Sequence, residues 1–219
     1  MSEKYKTDSN GLYFVTMTVV GWIDVFTRRE YQEILIASLS YCQKNKNLKL
    51  YCYCIMPSHI HFITYSEDGE LSNTLRDMKS YTAKELIKAI KNNPQESRKE
   101  WMLNQFEYHG KKSPQNQEMQ FWKHDNHPFY LYSNKLIQQK VNYIHMNPVE
   151  AGFVSQPQEW RMSSANEDGP LKLNEILIEL RSGLQGASTA GNPVCTTHTG
   201  RGSGVAFLLV TSLWPFKEK

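Results

Sequence analysis

The first apolar run along the chain, residues 12–19 (Leu-Tyr-Phe-Val-Thr-Met-Thr-Val), is rich in β-branched and aromatic side chains and predicts a strand. Residues 28–41 set Tyr31, Ile34, Leu35, Ser38 and Leu39 at helical spacing. A second strand is expected over 48–56, where Pro57-Ser58 breaks it, and a third over 59–65, so the two form a hairpin with a tight turn. Residues 71–91 form a long amphipathic helix with Leu71, Leu75, Met78, Thr82, Leu86 and Ala89 on one side. Residues 93–120 are polar and poor in hydrophobes, which predicts a long loop, and 121–131 allow a short fourth strand. Helical spacing returns over 134–147 with Leu136, Val141 and Ile144, and is expected to stop at Pro148 because the residue before proline avoids the α region.

The β-α-β-β-α-β order predicts an α+β fold: a ferredoxin-like, RRM-like antiparallel sheet with helices on one face, followed by a C-terminal helix. A length of 219 residues suits one domain with an appendage. The domain is expected over 1–170, and 171–219 as a short helix and then a disordered tail. That tail, from 182 onward, holds six of the twelve glycines and only four charged residues.

Composition adds exclusions. Forty per cent apolar residues suffice for a core, yet no stretch approaches the ~20 apolar residues of a membrane span. The four cysteines, Cys42, Cys52, Cys54 and Cys195, form no CxxC, which argues against a zinc knuckle or a disulfide framework. The N-terminus lacks the apolar run of a signal peptide, so a cytoplasmic location is expected and no membrane partner. Net charge is +3, too small to announce a nucleic-acid partner. Between Arg76 and Lys140, however, twelve Lys or Arg stand against seven Asp or Glu, so the middle third is where an anionic partner would lie.

Two segments carry candidate chemistry. In His59-Ile60-His61, strand alternation sends both imidazoles to one face, the beginning of a divalent-metal site. Taken alone the pair is a weak signal, and two histidines on a half-exposed strand is the favoured reading. In Tyr143-Ile144-His145-Met146-Asn147-Pro148, Tyr143 and Asn147 are one turn apart on the same side, whereas His145 points away. An isolated tyrosine there would be a packing residue, and asparagine is common near helix ends.

Together, Met56-Pro57-Ser58-His59-Ile60-His61-Phe62 and Tyr143-Ile144-His145-Met146-Asn147-Pro148-Val149-Glu150-Ala151-Gly152-Phe153-Val154 resemble the REP-associated tyrosine transposases. These belong to the His-hydrophobic-His (HUH) class of single-strand transposases. Trp160-Arg161-Met162-Ser163-Ser164-Ala165 matches the ending of that family, and the resemblance spans about residues 8–168. Glu150 departs from it, standing where many relatives carry a basic residue.

The resemblance implies that His59 and His61 bind the metal, Mg²⁺ or Mn²⁺, with Asn147 completing the site. It implies that Tyr143 is the nucleophile and its helix the catalytic one. The implied activity is cleavage and rejoining of single-stranded DNA at hairpins through a covalent 5′-phosphotyrosine. It leaves both a monomer and a homodimer open.

On the helix over 71–91, Arg76, Lys84, Lys88 and Lys91 share half of the wheel, with Lys79 at its border; they form either a track for DNA phosphates or a solvated face. Tyr130, Tyr132 and Trp122 are candidates to stack on bases, with core packing favoured for Trp122. His124 and His127 are expected at the surface. The alternative to an enzyme is a non-catalytic protein of the same fold that binds hairpin DNA or RNA.

Overall fold

The structure is a computed structural model of the whole chain and describes residues 11–114, 118–124 and 128–174. They lie within one compact unit, Met1–Ile176. The expected tail, with Cys195, and also His127 lie outside the described residues. Among the described residues no helix is long and apolar enough to cross a membrane.

Strands β1 (Tyr13–Thr18), β2 (Leu48–Ile55), β3 (His59–Ser66) and β4 (Phe129–Tyr130) form one sheet in the order β2-β3-β1-β4. All pairings are antiparallel, and β1 with β3 runs from Tyr13 opposite Thr64 to Thr18 opposite His59. This is the ferredoxin-like order expected from the sequence. β4 is only two residues long, whereas Trp122 forms an isolated bridge to Val19.

Strand alternation divides β3. Ile60 and Phe62 are fully buried in a core built with Val15, Met17, Leu35 and Leu39, together with Leu75, Met78 and Leu86 of α2 (Leu71–Asn92). Leu35 and Leu39 come from α1 (Arg29–Asn45). His59, His61 and Ile63 point the other way, where a smaller cluster of Leu12, Cys52, Cys54, Met56, Ile63 and Leu131 receives Ile144 of α4 (Asn134–Glu150). The catalytic-candidate helix therefore lies on the face opposite α1 and α2.

Two expectations are corrected. The stretch expected as a loop over 93–120 contains α3 (Lys99–Lys112), whose inward residues are Met102, Phe106 and Gly110. Spaced four apart, they make a stripe one residue wide, enough to seat a helix on an existing core but too sparse to stand out from polar neighbours. Pro148 does not end α4 but lies buried within its last turn. The helix closes instead at Gly152 (φ 75°): Gly152 N donates to Val149 O and Phe153 N to Pro148 O, the paired bonds of a Schellman motif.

Candidate active site

β3 and α4 bring the two sequence segments together within one chain. The His59 and His61 rings stand 4.7 Å apart between centroids, and the Tyr143 ring lies 5.2 Å from that of His61, edge-on. Asn147, one turn beyond Tyr143, sets its Oδ1 3.3 Å from His59 Nε2. Tyr143 is 40% exposed, accessible to a strand arriving from solvent.

Each imidazole is held by its other nitrogen. His61 Nδ1 shares a 2.8 Å hydrogen bond with Thr16 Oγ1, and His59 Nδ1 one of 3.2 Å with Ser58 Oγ. Such bonds set ring orientation and leave Nε2 as the atom that could meet a metal, that of His59 already beside Asn147 Oδ1. Burial pushes the pKa of His61 down to about 3, helped by His59 and by the Lys140 ammonium. Burial also lowers that of His59, although Asn147 and Asp24 act against it. Both rings are thus neutral at physiological pH, the state a metal ligand needs.

Among the described residues no three His, Cys, Asp or Glu side chains gather as a metal-binding group. A cation here would be held by His59, His61 and the amide oxygen of Asn147. The 3.3 Å between His59 Nε2 and Asn147 Oδ1 fits adjacent positions on an octahedral ion; donors at about 2.1 Å stand about 3 Å apart in that arrangement. Two imidazoles and an amide bring no negative charge, so the ion's full charge would remain for a phosphate.

Behind α4, His145 faces the sheet. Its Nε2 lies 2.8 Å from Ser164 Oγ and 3.3 Å from Cys52 Sγ, and burial lowers its pKa to about 4. Ser164 Oγ also accepts from Tyr53 N, Met162 O accepts from Ile55 N, and Trp160 Nε1 donates to Ile55 O. The Trp160–Ser164 segment therefore flanks β2 and anchors the helix bearing Tyr143.

Sequence reasoning missed the cations closest to the site. Lys140 Nζ lies 4.6 Å from the centroid of Phe14 and 5.3 Å from that of Tyr143. Its position three residues before Tyr143, on the same helical face, was the available signal. Lys123 Nζ sits 4.3 Å over the Trp22 ring, which meets His59 edge-on at 5.4 Å. No local pattern links those two.

The basic residues of α2 are not brought to this site. Their helix packs against the opposite side of the sheet, where Arg76 pairs with Asp77 and Lys79 Nζ donates to Lys123 O. Lys84, Lys88 and Lys91 line a groove with Ile87, Asn92, Glu118 and Met119. Trp122 is buried and donates to Thr82 Oγ1, whereas Tyr130 and Tyr132 are exposed. His124 is exposed, with Nε2 2.9 Å from Ser113 Oγ.

A family model described as IS200-like transposase matches residues 13–124, a span that includes both site histidines but ends before α4. A solved REP-associated tyrosine transposase bound to a REP hairpin has a TM-score of 0.51 at 17% identity, covering 90% of this chain and 96% of that one. A likeness at that identity shows a shared fold. No curated protein matches the chain.

Proposed function

The chain belongs to the IS200-like transposases, and we propose that it cuts and rejoins single-stranded DNA beside a hairpin, with Tyr143 as nucleophile. The observation that carries this reading is the meeting, in one chain, of the Tyr143 phenol with the His59, His61 and Asn147 donor set. Hairpin DNA as the substrate is supported by the REP hairpin bound to the transposase of similar fold.

In this reading the Tyr143 oxygen attacks phosphorus and a new O–P bond forms as the bond from phosphorus to O3′ breaks. The phenol gives up its proton and the departing O3′ takes one up, so charge balances. The positive charge of Lys140 beside the ring draws the phosphate in. Mg²⁺ or Mn²⁺, when bound, would supply Lewis-acid polarisation of a non-bridging oxygen, worth several kcal/mol. His59, His61 and Asn147 would hold that ion, and Thr16 and Ser58 fix the ring orientations. Phenolate is a good leaving group from an aryl phosphate, so a 3′-hydroxyl can attack phosphorus, expel Tyr143, which regains its proton, and reseal the strand.

The α2 cations divide in this reading. Lys84, Lys88 and Lys91 are proposed to contact phosphates of DNA that extends to the far face. Lys79 acts by fixing the Lys123 backbone, and Arg76, paired with Asp77, adds only a surface charge. Because the donor set and Tyr143 meet within one subunit, a monomer suffices.

Labelled hairpin DNA incubated with Mn²⁺ and run on a denaturing gel should yield a covalent adduct, and Tyr143→Phe should abolish it while hairpin binding persists. An adduct that survives in the variant would move the nucleophile elsewhere. Tight binding with no adduct for the native chain would leave a hairpin-binding protein without this chemistry.

A further inference from the structure

Resting on that reading, we propose that Trp22 and Lys123 form a platform on which an unpaired base of the DNA strand stacks beside His59. Trp22 is 56% exposed, a large apolar surface left in water at the rim of the site. Its backbone is left-handed, with φ 56°, next to Gly21 at φ 62°. A bulky residue rarely occupies that region unless its surroundings impose it.

Those surroundings hold the turn by several contacts. Trp22 ends a 3-10 turn, Val20–Trp22; just before it Val19 N donates to Ser58 O, next to His59, and within it Val20 N donates to Phe121 O. A Cβ placed at Gly21 would sit 3.3 Å from His109 Nε2, so α3 packs directly beneath the turn. On its far side, Arg98 Nη1 donates to Asp24 O, and both Arg98 and Arg28 bind the buried Glu96 carboxylate. The fold thus fixes an exposed indole where packing alone would turn it inward.

The chemistry suits a nucleotide. An indole gives any base a π-face, and Lys123 Nζ, 4.3 Å from the ring centroid, gives the adjoining phosphate a cation. The ring also touches His59. A base held there would lie next to the bond that Tyr143 attacks. The site accordingly reads unpaired strand, whereas a duplex buries its base faces by stacking.

Trp22→Gly tests this, because glycine accepts positive φ without strain and the ring is removed. Binding is measured in EDTA with three probes: a blunt hairpin, the same hairpin with unpaired flanks on both ends, and one whose flanks are abasic. The native chain should bind the flanked hairpin about tenfold more tightly than the abasic one. Trp22→Gly should lose that preference, bind the blunt hairpin as before and melt within a few degrees of the native chain. Trp22→Phe should recover most of the preference. Equal losses on blunt and flanked hairpins, or a preference for bases that survives in Trp22→Gly, would overturn the platform. A native chain that binds no hairpin would remove the underlying reading along with it.

Discussion

His59 and Ile60 are neighbours on β3, and what they meet differs in kind. Ile60 joins Phe62, Val15 and Met17 in an apolar core closed by α1 and α2, fully removed from water. His59 and His61 meet Trp22, Thr16, Asn147 and Tyr143, and across the same face Cys52, Ser164 and His145 bond to one another. One face of the sheet carries the main apolar core, and the other adds to a smaller apolar cluster polar groups that a core alone would exclude. Over His59–Phe62, before Ile63 joins the smaller apolar cluster, a substitution should therefore change folding or chemistry according to the parity of its position.

The widest separation should come from paired variants on β3. His59→Ala with His61→Ala should lower adduct formation by at least about a hundredfold, and excess Mn²⁺ should not restore it. Thermal stability in EDTA should fall by less than for a truncation in the main core, the loss being the buried His61 ring and its bond to Thr16. Phe62→Ala, one residue away, should cost about 3–5 kcal/mol in denaturant unfolding, while the fraction that stays folded reacts at the native rate. Equal effects of the two on rate would end the division of the faces.

That division is partly legible in the order of residues alone. The period-two placement of His59 and His61 and the long stripe from Leu71 to Ala89 announce themselves, because a repeat of several turns or a strict alternation is a local signal. The helix α3 offers only Met102, Phe106 and Gly110, a pattern that gains meaning once there is a core to meet. At Pro148 the local rule for the residue before proline predicts a stop, which the closing bonds at Gly152 override. Trp22, Lys123 and His59 converge across 37 and 64 residues of chain, and their meeting follows from tertiary packing alone. The identity of the chemical groups is thus more readable than what surrounds them.

Acid should weaken the chemical face more than the apolar one. His61 and His145 have pKa values lowered to about 3 and about 4, and His59 is shifted the same way, all chiefly by burial. Below pH 6.5 the unfolded chain takes up protons that these folded rings refuse. Stability is therefore complete above pH 6.5 and falls as pH drops towards 4, by up to about 1.4 kcal/mol per pH unit for each ring. Urea titrations in EDTA at pH 7, 6 and 5 check this. His145→Gln should flatten the slope, and an unchanged slope would mean that its ring is not held neutral.

A smaller effect tests the anchor behind α4. Ser164→Ala removes the acceptor of Tyr53 N and the partner of His145. Leaving such a backbone donor unsatisfied should cost about 1–3 kcal/mol. Because α4 then loses a fixed contact opposite Tyr143, adduct formation at saturating DNA should also slow severalfold, whereas affinity for the hairpin holds. A stability loss with an unchanged saturated rate would make Ser164 a packing residue with no hold on the tyrosine.

The least effect on chemistry should come from α2. Lys84, Lys88 and Lys91 project from a helix whose inner side packs in the core behind β3, so none can neutralise charge at the bond Tyr143 is proposed to attack. If DNA reaches their groove, each contact releases counterions, and three should contribute about 2 to the slope of log affinity against log salt. The triple alanine variant should flatten that slope by this amount and leave the saturated rate of adduct formation untouched. Lys140→Ala, on the chemical face, should reverse the pattern: a lower rate with a slope changed by less than about 1. An unaltered slope in the triple variant would take α2 off the path of the DNA, and a lowered rate there would mean that charge acts across the sheet, against the separation of faces.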